Sequence, residues 1–183
     1  MAGPVASPFT SREEFREVMD RLMQLMSEHP GVGPRLRAAN LPQRFEFDDL
    51  GLIMNVRAGR PSEQANLSWE WSDEIDWSPR VHMTMSSWTA NRYFQGRENV
   101  AYAIVRRRIN TWGDIRSAIE LTPLIKPIYQ RYRELVAAEY PHLELQVTSG
   151  AIAPSTETRG CDRGVGCRAR QSADPTRRQR RRP

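Results

Sequence analysis

Residues of the reactive kinds are few in this chain, and they are dispersed. The only cysteines, Cys161 and Cys167, lie in a polar C-terminal stretch. Five residues separate them, which fits neither a CxxC redox pair nor a zinc knuckle, so both read as incidental thiols. The three histidines, His29, His82 and His142, have no second ligand type paired with them at helical spacing, and a metal site is not expected. No GxSxG elbow, P-loop or GxGxxG occurs, which removes the common nucleophile and nucleotide-phosphate signatures. No run of about 18 apolar residues is present to cross a membrane. Met1 to Thr10 carries neither the basic region nor the apolar run of a secretory leader. The expectation is a cytoplasmic protein with no metal, no cofactor and no catalytic residues.

Lysine is also nearly missing. Lys126 is the single one among 27 basic residues, so the formal charge of +5 is an arginine charge. It is unevenly placed. Residues 151–183 hold nine arginines against Glu157, Asp162 and Asp174, a net of +6 that leaves the rest of the chain at −1. A near-neutral body does not present the basic face by which a dedicated nucleic-acid domain releases counterions from phosphates. The arginine-rich end could meet anionic phospholipid or RNA, or serve solubility alone.

What the chain does have is a change of hydrophobic period. Thr10 and Ser11 each stand three residues before a glutamate, Glu13 or Glu14, and either can cap a helix. Phe15, Val18, Met19, Leu22, Leu25 and Met26 then recur at helical spacing until His29-Pro30-Gly31. Its methionines suit an ordinary core or an adaptable lipid-contacting face. From residue 43 to residue 86 the period becomes 2. Phe45 and Phe47 alternate with polar residues, as do Leu52, Met54 and Val56, then Leu67, Trp69 and Trp71, then Val81, Met83 and Met85. Asp48-Asp49-Leu50-Gly51 predicts a hairpin turn between the first two strands. Such one-sided alternation predicts a mostly antiparallel sheet covered on one face. Asp73-Glu74-Ile75-Asp76 reads as a solvated hairpin tip rather than a calcium loop, since the glycine and terminal glutamate of an EF-hand are missing.

After Ser86 the helical period returns over residues 88–95 and 98–107, broken at Gly96. A strand over Arg108 to Trp112 ends at Gly113-Asp114, and Asp114 can cap a helix through Leu121. Pro123 is expected to interrupt it, with a last helix running from about Leu124 to Tyr140. Beyond Pro141 aromatic residues vanish, and disorder is expected from about residue 148. The domain organisation is therefore an extension (1–9), a folded domain (10–147) and a disordered basic tail (148–183).

In order and spacing, several segments resemble the sterol carrier protein type 2 family. They are Arg44-Phe45-Glu46-Phe47-Asp48-Asp49-Leu50-Gly51, Val81-His82-Met83-Thr84-Met85-Ser86, Tyr93-Phe94-Gln95-Gly96-Arg97-Glu98-Asn99-Val100-Ala101, Arg108-Ile109-Asn110-Thr111-Trp112-Gly113-Asp114 and Leu121-Thr122-Pro123-Leu124. The family's glycine before the basic strand is replaced here by Arg106-Arg107-Arg108, and the chain ends without a peroxisomal Ser-Lys-Leu. The resemblance implies an α+β fold of two layers, a five-stranded, mostly antiparallel sheet covered on one face by helices, with a lipid tunnel beneath it. It implies non-catalytic binding or transfer of a sterol, fatty acid or fatty acyl thioester. The expected lining is Trp69, Trp71, Met83 and Met85 from the strands and Phe94, Ile104, Leu121, Leu124 and Ile128 from the helices; the same side chains would equally fill a solid core. A preformed tunnel would show as an enclosed apolar volume above ~300 Å³. Two other readings stand beside this one: a non-catalytic partner or dimerisation subunit of an enzyme, and an enzyme using an Asp or Tyr on a bound lipid.

Overall fold

The computed structural model describes residues 7–59 and 64–145. The expected disordered tail, with both cysteines and the nine arginines, lies outside the described residues, as does most of the N-terminal extension.

Helix α1 spans Arg12–Glu28. Ser11 is its cap: Ser11 Oγ accepts from the Glu14 N–H at 3.0 Å, and Glu14 Oε2 accepts from the Thr10 N–H at 2.6 Å. Both candidate capping residues are thus used, one through its side chain and the other through its backbone. Of the predicted stripe Phe15, Val18, Met19, Leu22 and Met26 are buried, Leu25 is only half-buried, and Met23 joins the buried face. A short helix, α2 (Gly33–Ala39), follows. It was not expected, because seven residues with Leu36 as the only large buried side chain show no period to read. Its marks are local: Pro34 in the first turn and Asn40 in the left-handed conformation (φ 43°) just past the end.

Five strands make one sheet: β1 (Gln43–Phe47), β2 (Leu52–Ala58), β3 (Leu67–Trp71), β4 (Val81–Met85) and β5 (Ile109–Gly113), in the order β3-β2-β1-β4-β5. Three of the four pairings are antiparallel, and the central one, β1 with β4, is parallel. Alternation reports which face of a strand is buried, not the direction of its neighbour, so this pairing was invisible in the sequence. It arises because β3 and β4 are not a hairpin, which corrects the reading of Asp73 to Asp76 as a hairpin tip. Residues from Ser72 to Trp77 instead pass over the sheet face away from the helices. There Arg44 donates to Asp73 O (3.0 Å), Asn55 Nδ2 to Ser72 O (2.7 Å) and Trp77 Nε1 to Glu70 Oε1 (3.1 Å), and the Arg57 guanidinium stacks over the Trp77 ring at 5.8 Å. The outer face is therefore partly covered, and Asn55 is wholly buried there, rather than open throughout as expected.

Helices α3 (Ser87–Phe94) and α4 (Val100–Val105) are capped by the side chains of Ser86 and Asn99. Between them Gly96 is left-handed (φ 72°), and a Cβ there would stand 2.6 Å from the Tyr129 ring. The closing helix corrects the expectation of a break at Pro123. One helix, α5 (Ile115–Glu139), runs through both Pro123 and Pro127. Neither proline can donate to the carbonyl four residues back, and the two losses fall one turn apart on one side. Continuity is kept because Ile115, Ala118, Leu121, Ile125 and Ile128 continue a single stripe against the rest of the domain. A 3₁₀ turn at Pro141–Leu143 ends the described chain.

The turn into β5 settles what replaces the missing glycine. Arg107 takes the left-handed conformation (φ 55°), its N–H donating to Ile104 O (2.9 Å) and the Arg108 N–H to Ala103 O (2.8 Å), a Schellman end to α4. A side chain in that conformation costs about 1 kcal/mol. Replacing Arg107 by glycine should stabilise the domain by up to about 1 kcal/mol in chemical denaturation. The opposite sign is expected for Gly113→Ala, since Gly113 sits at φ 85° with Arg80 O only 2.1 Å from where its Cβ would be. That change should cost about 2 kcal/mol or more.

Candidate functional site

The helix-facing side of the sheet has two unlike ends. Register places Phe47, Leu52, Met85 and Ile109 at one end, and Gln43, Val56, Ala58 and Leu67 at the other, with Phe45, Met54, Met83 and Thr111 between. The first end is filled with rings. Phe15 packs edge-on against Phe9 (4.8 Å between centroids) and Phe47 (4.5 Å), and Trp71 completes the cluster at 6.2 Å from both Phe15 and Phe47. None of these four rings borders the cavity at the other end.

The other end carries shorter or more flexible side chains, and there the layers do not close on each other. An apolar cavity of about 60 Å³ lies between Phe45, Val56, Ala58, Leu67 and Met83 of the sheet and Met23, Met26 and Leu36 of α1 and α2. Tyr93 and Phe94 of α3, Val100 and Ile104 of α4, and Ile115, Ala118, Ile119, Leu121 and Ile125 of α5 complete it. The volume is small. It is far below the ~300 Å³ of a preformed ligand pocket. What the described residues enclose is thus a narrow apolar cavity, and an open tunnel of the expected size is not shown.

Its walls are not equally firm. Met23 and Met26 of α1, Phe45 of β1 and Met83 of β4 are buried. In contrast, no residue of α5 before Ile125 is buried, and Ile119 is 40% exposed; Ile104 of α4 is half-buried beside them. Ile125, Ile128, Tyr132 and Val136 anchor the second half of α5. Pro123 and Pro127 interrupt the hydrogen-bond ladder between the two halves, which is where a helix bends most readily.

Of the residues the sequence put forward as lining, Met83, Phe94, Ile104 and Leu121 meet at this cavity. Met85 and Ile128 are buried away from it, and Leu124 packs on the core from α5. Trp69 and Trp71 have a different occupation. Both indole N–H groups donate to one acceptor, Asp20 Oδ1, at 2.8 and 2.7 Å, fastening the outer edge of the sheet to α1. The Arg16 guanidinium covers the Trp71 ring at 5.4 Å. Sequence reasoning missed the cavity's polar members, Gln43 and Thr111. The signal was available, since each lies two residues along its strand from an inward residue, Phe45 and Ile109 respectively.

The titratable groups nearby have structural tasks. Burial pushes the Tyr93 phenol well above its ordinary value, so it stays neutral throughout the physiological range. His82 lies on the outer face with Nε2 at 3.2 Å from Glu46 Oε2, and its ring stands against Trp112. His142 pairs with Glu14 at 3.1 Å, and His29 Nδ1 accepts from the Gly31 N–H. Burial works to raise the Glu14 carboxyl, but hydrogen bonds from Thr10 and His142 outweigh it and hold the group below its ordinary value. None of these side chains borders the cavity except Tyr93. No described helix is long and apolar enough to cross a membrane.

No protein-family model and no curated protein matches the sequence. Among solved structures, the chain is similar to the sec-alkylsulfatase Pisa1 from Pseudomonas sp., at 14% identity and a TM-score of 0.41 over 48% of this chain. It spans only 13% of that enzyme's length. It is also similar to a ubiquinone synthesis protein, UbiJ-SCP2, at 10% identity and a TM-score of 0.47, covering 62% of this chain and 89% of that one. A third similar structure is sterol carrier protein domain 2 of Helicoverpa armigera, at 15% identity and a TM-score of 0.46, covering 71% and 94%.

Two results should follow from the paired tryptophans. Asp20→Ala leaves both half-buried indole N–H groups without their acceptor and should cost about 2 kcal/mol in denaturant unfolding, with a changed near-ultraviolet circular dichroism spectrum. The same variant should leave the uptake of an apolar probe unchanged, because neither indole lines the cavity.

Proposed function

We propose that the chain binds a lipid in the cavity under the first half of α5 and carries out no covalent chemistry on it. The guest would be a sterol-like molecule, a fatty acid or a fatty acyl thioester, in keeping with the resemblance of the sequence motifs. The observation that carries this reading is an apolar cavity whose outer wall is half-exposed and joined to a firmly buried anchor through two prolines. Each methylene moved from water into such a site contributes about 0.8 kcal/mol, so a chain of a dozen carbons can offset both its own ordering and the displacement of a weakly held wall. None of residues 115–124 is itself fully buried at rest, so swinging them outward withdraws no fully buried side chain of α5 from the core.

A partner or dimerisation subunit needs no internal void, and the cavity favours the carrier over it. The same proposal gives the protein a cytoplasmic setting. Transient contact between its arginine-rich end and anionic membrane would bring it to the source and destination of the lipid.

Solvent extraction of the purified protein should recover lipid, and N-phenyl-1-naphthylamine should brighten on binding and be displaced by long-chain lipids. Met83→Trp and Ala118→Trp, which fill the cavity from the sheet and from α5, should abolish the brightening while leaving the far-ultraviolet spectrum unchanged. Uptake that survives both fillers would contradict this location for the site. Pro123→Ala should raise thermal stability, as removal of a helix-interior proline restores up to ~3 kcal/mol. It should also slow probe uptake in stopped-flow, because the wall then bends less readily.

A further inference from the structure

We infer that the cavity selects lipids whose polar end is uncharged, with one hydroxyl or carbonyl group, over the carboxylate of a fatty acid. This inference rests on the lipid-binding reading above and narrows it.

The argument begins with the side chains that could receive a polar end. Among the described residues bordering the cavity, three have neutral polar side chains: Gln43, Thr111 and Tyr93. Gln43 and Thr111 both face the helices. Register sets Gln43 beside Val56 and Val81, and Thr111 beside Met83, so the two flank β4 from opposite sides, Gln43 at the ill-filled end of the sheet and Thr111 in the adjoining row. Each is only half-buried. An amide offers both donor and acceptor and a hydroxyl likewise, which suits an alcohol or a carbonyl oxygen.

Positive charge, in contrast, is directed elsewhere. Arg57 is the one described charged residue that borders the cavity, but it pairs in register with Ser68 on the outer face, and its guanidinium stacks on Trp77 there. Apart from Arg57, no described cation of the surrounding helices and turns borders the cavity, and several are engaged with other groups. Arg108 pairs with Glu98 at 2.6 Å, Arg106 donates to the Tyr102 hydroxyl at 2.9 Å, and Arg116 pairs with Glu120 at 3.0 Å. Arg107 is exposed in the turn after α4 and does not border the cavity. From α1 the cavity receives only Met23 and Met26, and from α2 only Leu36. Among the described residues lining the cavity, a carboxylate drawn in would meet no counter-charge on leaving water, which is far more costly than burying a hydroxyl that finds a hydrogen bond. The acid would enter as its neutral form, at a penalty that grows with pH above its own pKa.

The test uses the full chain, N-phenyl-1-naphthylamine as reporter, and three competitors of equal chain length: decan-1-ol, decanoic acid and decane. At pH 8 decan-1-ol should displace the reporter at least about ten-fold more effectively than decanoic acid, and lowering the pH to 5 should close most of that gap while the alcohol is unaffected. Gln43→Leu with Thr111→Val should weaken the alcohol about five-fold, the loss expected of a hydrogen bond or two, and leave decane unchanged. Displacement by decanoate at pH 8 equal to that by the alcohol would overturn the inference while sparing the lipid reading. An alcohol weakened no more than decane by the double variant would overturn the assignment of Gln43 and Thr111. Failure of all three competitors and of the reporter itself would remove the lipid reading and this inference together.

Discussion

The structure turns on unequal packing beneath one face of a five-stranded sheet. At the end where Phe47 and Met85 point inward, Phe9, Phe15 and Trp71 supply interlocking rings and the layers close tightly. At the end where Gln43, Val56 and Ala58 point inward, side chains of smaller reach face α4 and the start of α5, and about 60 Å³ is left between the layers. The tight end supplies the anchorage that lets the loose end stay loose, because an interior packed to crystal-like density transmits little slack.

The loose end gains its character from α5. A 25-residue helix with two interior prolines would be an unfavourable element alone. It persists because Ile125, Ile128, Tyr132 and Val136 bury its second half, and Tyr132 reaches Asn91 in a buried polar network with Gln95 and Leu143 O. The first half receives less: an N-cap from Asp114, which accepts from the Ser117 N–H and hydroxyl, and half-buried contacts over the cavity. The same helix is thus a fixed strut at one end and a yielding cover at the other, and sparsely buried elements are the ones that open at low cost. For the lipid binding we propose, an apolar lining makes exclusion of water the main source of affinity.

Much of this was legible in the residues, and the exceptions have physical reasons. The first helix and four of the strands were visible because each buries one face, and burial imposes a period of 3.6 or 2 on the apolar residues. The strand after Arg107 and the cap at Asp114 follow from short-range chemistry and were equally accessible, whereas the side-chain caps at Ser86 and Asn99 were not read from the sequence. The parallel pairing of β1 with β4 was not, since it depends on the path taken by Ser72 to Trp77 across the outer face, and alternation is blind to path. Pro123 misled because the rule against helix-interior proline is a local energy, overridden here by a stripe of apolar residues that spans it. In the cavity, Met83, Phe94, Ile104 and Leu121 were identifiable as inward-facing, but wall and filling use the same residue types. What separates them is the reach of neighbours such as Ala58 and Ala118, a property of three-dimensional fit.

The methionines offer the most direct measurement of the central claim, since they sample both ends of the domain. In a protein labelled with ¹³C at the methionine methyls, saturation with a long-chain alcohol should shift the resonances of Met23, Met26 and Met83, which line the cavity, and leave those of Met54 and Met85 in place. Shifts at Met54 and Met85 as large as those at Met83, or no shift at any of the five, would contradict an interior that is closed at one end and open to a guest at the other.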